Sequence, residues 1–352
     1  MKLKYKILII VFIMLLLSIK INENKNFKFE KLYIHSRIDQ NIFTEKLNIE
    51  NSLIKIYSDL YDLARKGDIK PKLSKKNVDY SKKKKNYKIS ICSIGKNENL
   101  YIKEFVEYYK KIGLDKIYLF DNNDLEGEYF DKILNNYIKD KFVEIIDVRG
   151  LSSIQIPIYN YCYQKNKDKY DWIGFLDLDE YLYIKSNESI KIFFNNKRFD
   201  KCQTVFFNWV IFNDNDLIQY DNRPLLDRFT KPTLKHSGGK SFVRGNINNL
   251  FIPSSHIIGI NIKHICNSKG KIIYPKNYLK NAFEKNSIAY IKHFYSKTVE
   301  EFCHKINKGN AHFHRNHSQY KKILNSRIKL FFRINKMTKA KLNIIKKCFK
   351  MK

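Results

Sequence analysis

The chain has 352 residues, a formal net charge of +32, and 43% hydrophobic and 14% aromatic residues. That apolar content is enough for a real core and excludes a disordered polymer, while the length allows one large domain or two small ones. The charge favours an anionic surface or substrate, and it gathers at one end: no acidic residue follows Glu301, whereas fifteen Lys or Arg lie between Phe302 and Lys352.

The first element is an apolar run from Ile7 to Ile19, flanked by Lys2, Lys4 and Lys6 and by Lys20 and Lys25. It is short beside the roughly 17–25 residues of a spanning helix, and no small-x-small cleavage site follows. Residues 1–21 are therefore expected to form an uncleaved signal anchor, which predicts a single-pass membrane protein. Lysines on both sides leave its orientation open. Residues 22–86 read as a polar stem with some helix around Ile49–Ala64, ending in the run Lys82–Lys85.

From residue 87 the texture is that of an α/β domain, expected to extend to 310. Lys88–Ile94 is an apolar strand that runs into the polar loop Lys96–Asn99. Leu100, Ile102, Phe105, Val106, Tyr109 and Ile112 then recur at helical spacing, and Gly113 ends the helix. A second strand, Lys116–Phe120, stops on Asp121–Asp124. A helix over Tyr129–Tyr137 leads to a third strand, Val143–Val148, then residues 153–167 read as helix and Trp172–Leu176 as a fourth strand. This alternation predicts a mostly parallel sheet flanked by helices. Residues 311–352 read as a basic helical tail. Its Ile323, Leu324, Ile328, Phe331, Phe332 and Ile334 suit either a solvated helix or contact with anionic lipid.

The chemistry centres on Asp177-Leu178-Asp179, at the end of the fourth strand. Alternation along the strand puts both carboxylates on one side and Leu178 on the other. Two carboxylates at a strand end suit Mg²⁺ or Mn²⁺ held against a phosphate. A second Asp-x-Asp, Asp214 and Asp216, lacks such a strand. Ligands of open α/β sheets bind beyond the carboxyl ends of the strands, and the loops Lys96–Asn99, Asp121–Asp124 and Asp177–Glu180 all fall there. There is no Gly-x-Gly-x-x-Gly and no Walker loop, which argues against dehydrogenase and P-loop readings. The six cysteines are scattered, without Cys-x-x-Cys or zinc spacing, and predict reduced thiols in a cytosol-facing domain.

Five blocks carry a resemblance. Lys96-Asn97-Glu98 with Tyr101–Gly113, then Tyr118-Leu119-Phe120-Asp121-Asn122, Trp172–Tyr181, Lys240–Arg244 and His293–Lys305 are similar in kind and order to glycosyltransferase family 92, over roughly residues 88–310. The resemblance implies a GT-A fold related to family 2 transferases, a UDP-sugar donor and a divalent metal (Mn²⁺ or Mg²⁺) at the Asp-x-Asp motif. It also implies transfer of a hexose, galactose favoured, to a glycan or glycoconjugate acceptor, with inversion. At Phe212–Asp216 the chain departs from a glycine-containing segment that relatives tend to have.

On that reading Asp179 is the expected direct metal ligand, with Asp177 on the metal or the ribose and His293 as a third ligand. Asn97, Glu98 and Asp121 are candidates for the nucleoside, although Asp121 equally suits an Asx-turn. Lys297 and Arg244 are candidates for the diphosphate. Asp214 and Asp216, the nearest downstream carboxylates, are candidates for the general base that an inverting transfer needs. The cluster His312, His314 and His317 has metal-like spacing but no acidic or cysteine neighbour. Two other classes stand beside the transferase: a metal-dependent nucleic-acid enzyme or binder, motivated by the charge, and an inactive anchored scaffold. The absence of a nucleic-acid recognition motif argues against nucleic acid as a partner.

Overall fold

The computed structural model describes residues 86–349, apart from 152–153, 249, 253, 257–261, 263, 274–283, 285 and 308–316. The expected anchor and stem lie outside these residues, as do His312 and His314. No helix among the described residues is long and apolar enough to cross a membrane.

The first half alternates as expected: β1 (Ile89–Gly95), α1 (Asn99–Lys111), β2 (Lys116–Asp121), α2 (Asp131–Lys139), β3 (Val143–Asp147), α3 (Gln155–Asn166) and β4 (Trp172–Phe175). Helix α1 forms because Ile102, Phe105, Val106 and Tyr109 share one buried stripe, and Gly113 at φ +89° ends it. All seven residues of β1 are buried, so this part of the sheet is covered on both faces. The chain continues through β5 (Glu180–Ile184), α4 (Ile190–Phe194), a 3₁₀ turn at Lys197–Phe199, β6 (Thr204–Phe212), α5 (Leu225–Arg228) and β7 (Pro232–Arg244). After the short strands β8 (Ile265–Cys266) and β9 (Ile272–Ile273) come β10 (Ala289–His293), α6 (Val299–Asn307), α7 (His317–Ile334) and α8 (Lys339–Cys348).

The sheet is mixed, in the order β3-β2-β1-β4-β7-β6-β10-β5. Strands β1 to β4 are parallel; β7 runs antiparallel between β4 and β6, and β10 is parallel to β6 and antiparallel to β5. The carboxyl ends of β1, β2, β4, β6 and β10 therefore share one edge with the start of β5. One part of the core is an aromatic cluster of Phe193, Phe194, Phe199, Phe207 and Phe242, with Trp172 against Phe194 at 4.7 Å between ring centroids.

Three expectations change. Strand β4 ends at Phe175, so Asp177 and Asp179 are not on a strand: the peptide N–H of Glu180 donates to the Asp177 carbonyl (3.1 Å), and the chain turns straight into β5. The thiols are not reduced. All six cysteines pair as Cys92–Cys162, Cys202–Cys266 and Cys303–Cys348, joining elements 70, 64 and 45 residues apart, which short-range spacing cannot reveal. The tail does form helices, and part of its apolar side packs on the domain. Ile328, Phe331 and Ile334 are buried, and Phe331 lies 4.3 Å from Phe302 of α6, centroid to centroid, in a small second core that also holds Ile345.

Candidate active site

The turn Asp177–Glu180 is braced from inside. Leu176 and Leu178 are buried, and Glu180 is wholly enclosed. Its Oε2 accepts from the Asp177 N–H (2.9 Å) and its Oε1 from the Trp209 indole (2.8 Å), so the side chain folds back beneath the turn. Burial and the neighbouring Asp177 and Asp179 charges push the Glu180 carboxyl well above its usual range, against the pull of Lys240.

The two aspartates have different surroundings. Asp177 Oδ2 accepts from the fully buried ammonium of Lys240 (2.9 Å), and Oδ1 accepts from Gln155 Nε2 (2.9 Å) and the Tyr159 hydroxyl (3.2 Å). Burial alone would raise its pKa, but the Lys240 charge outweighs that and keeps the carboxyl below its usual range. Asp179 Oδ2 accepts from Lys305 Nζ (2.5 Å), and His293 Nε2 stands 3.7 Å away, too far for a hydrogen bond. Here too burial is outweighed, chiefly by the Lys305 charge, and Asp179 titrates well below the ordinary range. Burial lowers the pKa of His293, which favours the neutral imidazole; its Nδ1 is buried with no hydrogen-bond partner among the described residues.

The neighbouring loops are laced to one another. The Asn97 N–H donates to Asn123 Oδ1 (2.6 Å), and the Asn97 side chain is exposed at φ +50°. Lys297, also left-handed at φ +53°, donates to Glu98 (3.0 Å) and lies 3.3 Å above the Tyr101 ring. Asp121 is spent on its loop, accepting from the N–H groups of Asn123 (3.0 Å) and Phe130 (3.3 Å). This is the Asx-turn alternative of the sequence reading.

Two sequence-derived assignments do not fit the geometry. Arg244 is paired opposite Trp172, at the start of β4, so it occupies the far end of the sheet from Asp177. Its guanidinium donates to the Cys202 (3.0 Å) and Phe199 (2.9 Å) carbonyls and lies 4.4 Å over the Trp172 ring, a structural role rather than a diphosphate contact. Asp214 and Asp216 follow β6 at the correct edge, but both carboxylates hold Lys341 of α8, at 2.8 and 3.0 Å. Asp214 is enclosed, which leaves no open face for an acceptor hydroxyl; Asp216 keeps 57% of its side chain exposed, and both carboxylates anchor the C-terminal helix through Lys341.

Lys240 and Lys305 lay inside the motif blocks but nothing in the sequence gave either a role, and Gln155, Tyr159 and Trp209 carried no signal. Their partners are 18 to 126 residues distant. Helix α6, which carries Lys305, begins in a capping box: the Glu301 N–H donates to Thr298 Oγ1 (3.2 Å), and the Thr298 N–H donates to Glu301 Oε2 (3.0 Å). Thr-x-x-Glu before an apolar residue was the available signal for that helix start.

A model described as Glycosyltransferase family 92 matches residues 85–329. Among curated relatives, family 92 proteins of Oryza sativa subsp. japonica and Ricinus communis are 21% and 24% identical over 109 and 107 residues. Those stretches are 31% and 30% of this chain but only 18% and 19% of the relatives. Among solved structures, S. aureus TarS 1–349 in complex with UDP-GlcNAc is 12% identical, covering 74% of this chain and 79% of that one, with a TM-score of 0.34. A Pyrobaculum calidifontis mannosyltransferase in complex with GDP-Man and Mn²⁺ gives 9% identity, 47% of each chain and a TM-score of 0.27. Overlaps this slight carry no argument about the site.

Proposed function

The chain belongs to glycosyltransferase family 92, and on that premise we propose that it transfers a hexose, galactose favoured, from a UDP-sugar to a glycan or glycoconjugate, with inversion, on a GT-A type sheet. The observation that carries the reading is the buried Asp179 carboxylate at the carboxyl edge of the sheet, with the His293 imidazole 3.7 Å from it. The pairing of all six cysteines supports a catalytic domain in an oxidising compartment, behind an N-terminal anchor that makes the protein single-pass.

Among the described residues no three His, Cys, Asp or Glu side chains form a ready cation cage. The donor set nevertheless fits a divalent ion that shares its coordination with a diphosphate. Asp179 offers an ionised oxygen, and His293 a neutral imidazole whose Nε2 stands 3.7 Å from it. Asp177 has both oxygens engaged, which makes it a positioning residue behind the turn. A bound Mn²⁺ or Mg²⁺ would supply Lewis-acid neutralisation of the leaving diphosphate. Lys240 keeps Asp177 ionised, Glu180 holds the shape of the turn, and Lys297 and Glu98 close the neighbouring loop.

Thermal-shift measurement with a panel of UDP- and GDP-sugars tests the reading. Stabilisation by UDP-sugars in Mn²⁺, lost in Asp179→Asn, is expected. Stabilisation by no nucleotide, or an unchanged shift in Asp179→Asn, would sink it.

A further inference from the structure

Three ammonium–carboxylate pairs surround the site: Lys240 with Asp177, Lys305 with Asp179 and Lys297 with Glu98. Their charges cancel pair by pair, and Glu180 adds no positive charge. The cluster as it stands therefore has no surplus positive charge for an incoming diphosphate, and a cation bound at Asp179 has to contend with Lys305 for the same oxygen.

The three lysines differ in their freedom to move. Lys240 is wholly buried between Asp177 and Glu180, 2.9 and 3.5 Å from them. Lys297 is 4% exposed and clamped between Glu98 and the Tyr101 ring. Lys305 keeps 21% of its side chain exposed and is held by one carboxylate and by Tyr295, whose carbonyl accepts from it (3.0 Å) and whose ring centroid lies 4.7 Å away. Its backbone is well fixed, because the capping box and the buried Arg228–Glu301 pair hold the first turn of α6. Motion is thus confined to a flexible four-carbon stem that reaches solvent.

We propose that Lys305 is an exchangeable cation: a divalent ion at Asp179 displaces its ammonium, which then neutralises the donor diphosphate and the charge that develops on it as the sugar leaves. The inference rests on the transferase reading and deepens it. Displacement adds the charge of the ion and frees one ammonium at the same edge, turning a cluster without surplus positive charge into one that attracts a diphosphate. No bond to Lys305 is made or broken in the transfer itself; it acts by charge and hydrogen bonding.

Lys305→Gln tests this without nucleotide turnover. Mn²⁺ titrated into the nucleotide-free variant should bind more tightly than to the wild type, on the order of tenfold, the worth of one charge-assisted hydrogen bond. UDP binding in saturating Mn²⁺ should weaken by a similar factor. A purely structural lysine would weaken both, so Mn²⁺ affinity that is unchanged or lower in the variant overturns the proposal. Amine acylation of the wild type, read by mass spectrometry at Lys305, is a second measurement that needs no variant. Mn²⁺ alone should raise its reactivity several-fold and added UDP should lower it again; no response to Mn²⁺ overturns the proposal. A wild type that binds no UDP defeats the transferase reading and the inference together. Normal UDP binding without these Lys305 effects defeats the inference alone.

Discussion

Arg228→Met probes how the site is held. Arg228 and Glu301 form a two-pronged pair (2.9 and 3.0 Å), with side chains only 1% and 4% exposed, and Tyr101 adds a hydrogen bond to Glu301 (2.5 Å). Removing the guanidinium leaves a buried carboxylate facing a hydroxyl and one N–H. Breaking a buried pair in this way costs about 3–5 kcal/mol. At ~2–4 °C per kcal/mol for a domain of this size, the melting temperature should fall by roughly 6–20 °C. Adding Glu301→Gln should recover part of that loss, because a neutral amide oxygen still accepts from Thr298 without an unpaired charge. Glu301 also fixes a pH window. Burial acts to raise its pKa, but the Arg228 and Tyr101 hydrogen bonds prevail and lower it from the usual 4.5. Its stabilisation is therefore complete above that value and is lost as pH falls through the depressed pKa, and Arg228→Met should flatten that part of the acid limb. Scanning fluorimetry from pH 3 to 7 reads all of this. A loss under ~2 °C in Arg228→Met, or a double variant less stable than the single one, would refute the reasoning.

Other expectations concern the frame. A Cβ on Gly239 would land on the Phe207 carbonyl oxygen, so Gly239→Ala should cost about 3 kcal/mol or more and reduce soluble yield; a wild-type melting curve would contradict the β6–β7 register. Denatured but unreduced protein should titrate with no free thiol. Cys303→Ser with Cys348→Ser, which opens a bridge of separation 45, should lower stability by up to about 4 kcal/mol in denaturant titration. Asp214→Asn should lower stability by about 1.5–3 kcal/mol, since Lys341 keeps Asp216 as a partner, while sparing transfer at a permissive temperature. Loss of transfer at full stability would return Asp214 to the role of base.

The parallel half of the sheet was legible because each of its strands is a short apolar run that stops on a polar loop. Helix α1 was equally plain from one stripe of Ile102, Phe105, Val106 and Tyr109. The other half was not. Strand β6 is apolar at nearly every position and shows no period, and β7 carries Gly238, Gly239 and Lys240 in its middle. Only the pairing of β7 with β4 and β6 explains a buried lysine there, since that register sets Lys240 against Asp177. Arg244, four residues on, reaches the opposite edge by the same register, which is why one motif block held a site residue and a structural one.

The sequence alone placed Asp177 and Asp179, with the neighbouring polar loops, at one edge of the sheet, because strand ends and polar loops are local patterns. Only the tertiary structure decided what each charge does. Asp177 and Asp179 read alike in sequence, yet one is tied to a locked lysine and a tyrosine and the other to a lysine with solvent access. The cysteines tell the same story, since their partners lie on other elements. Charge pairing and disulfide pairing are contacts between distant segments, and no local period encodes them.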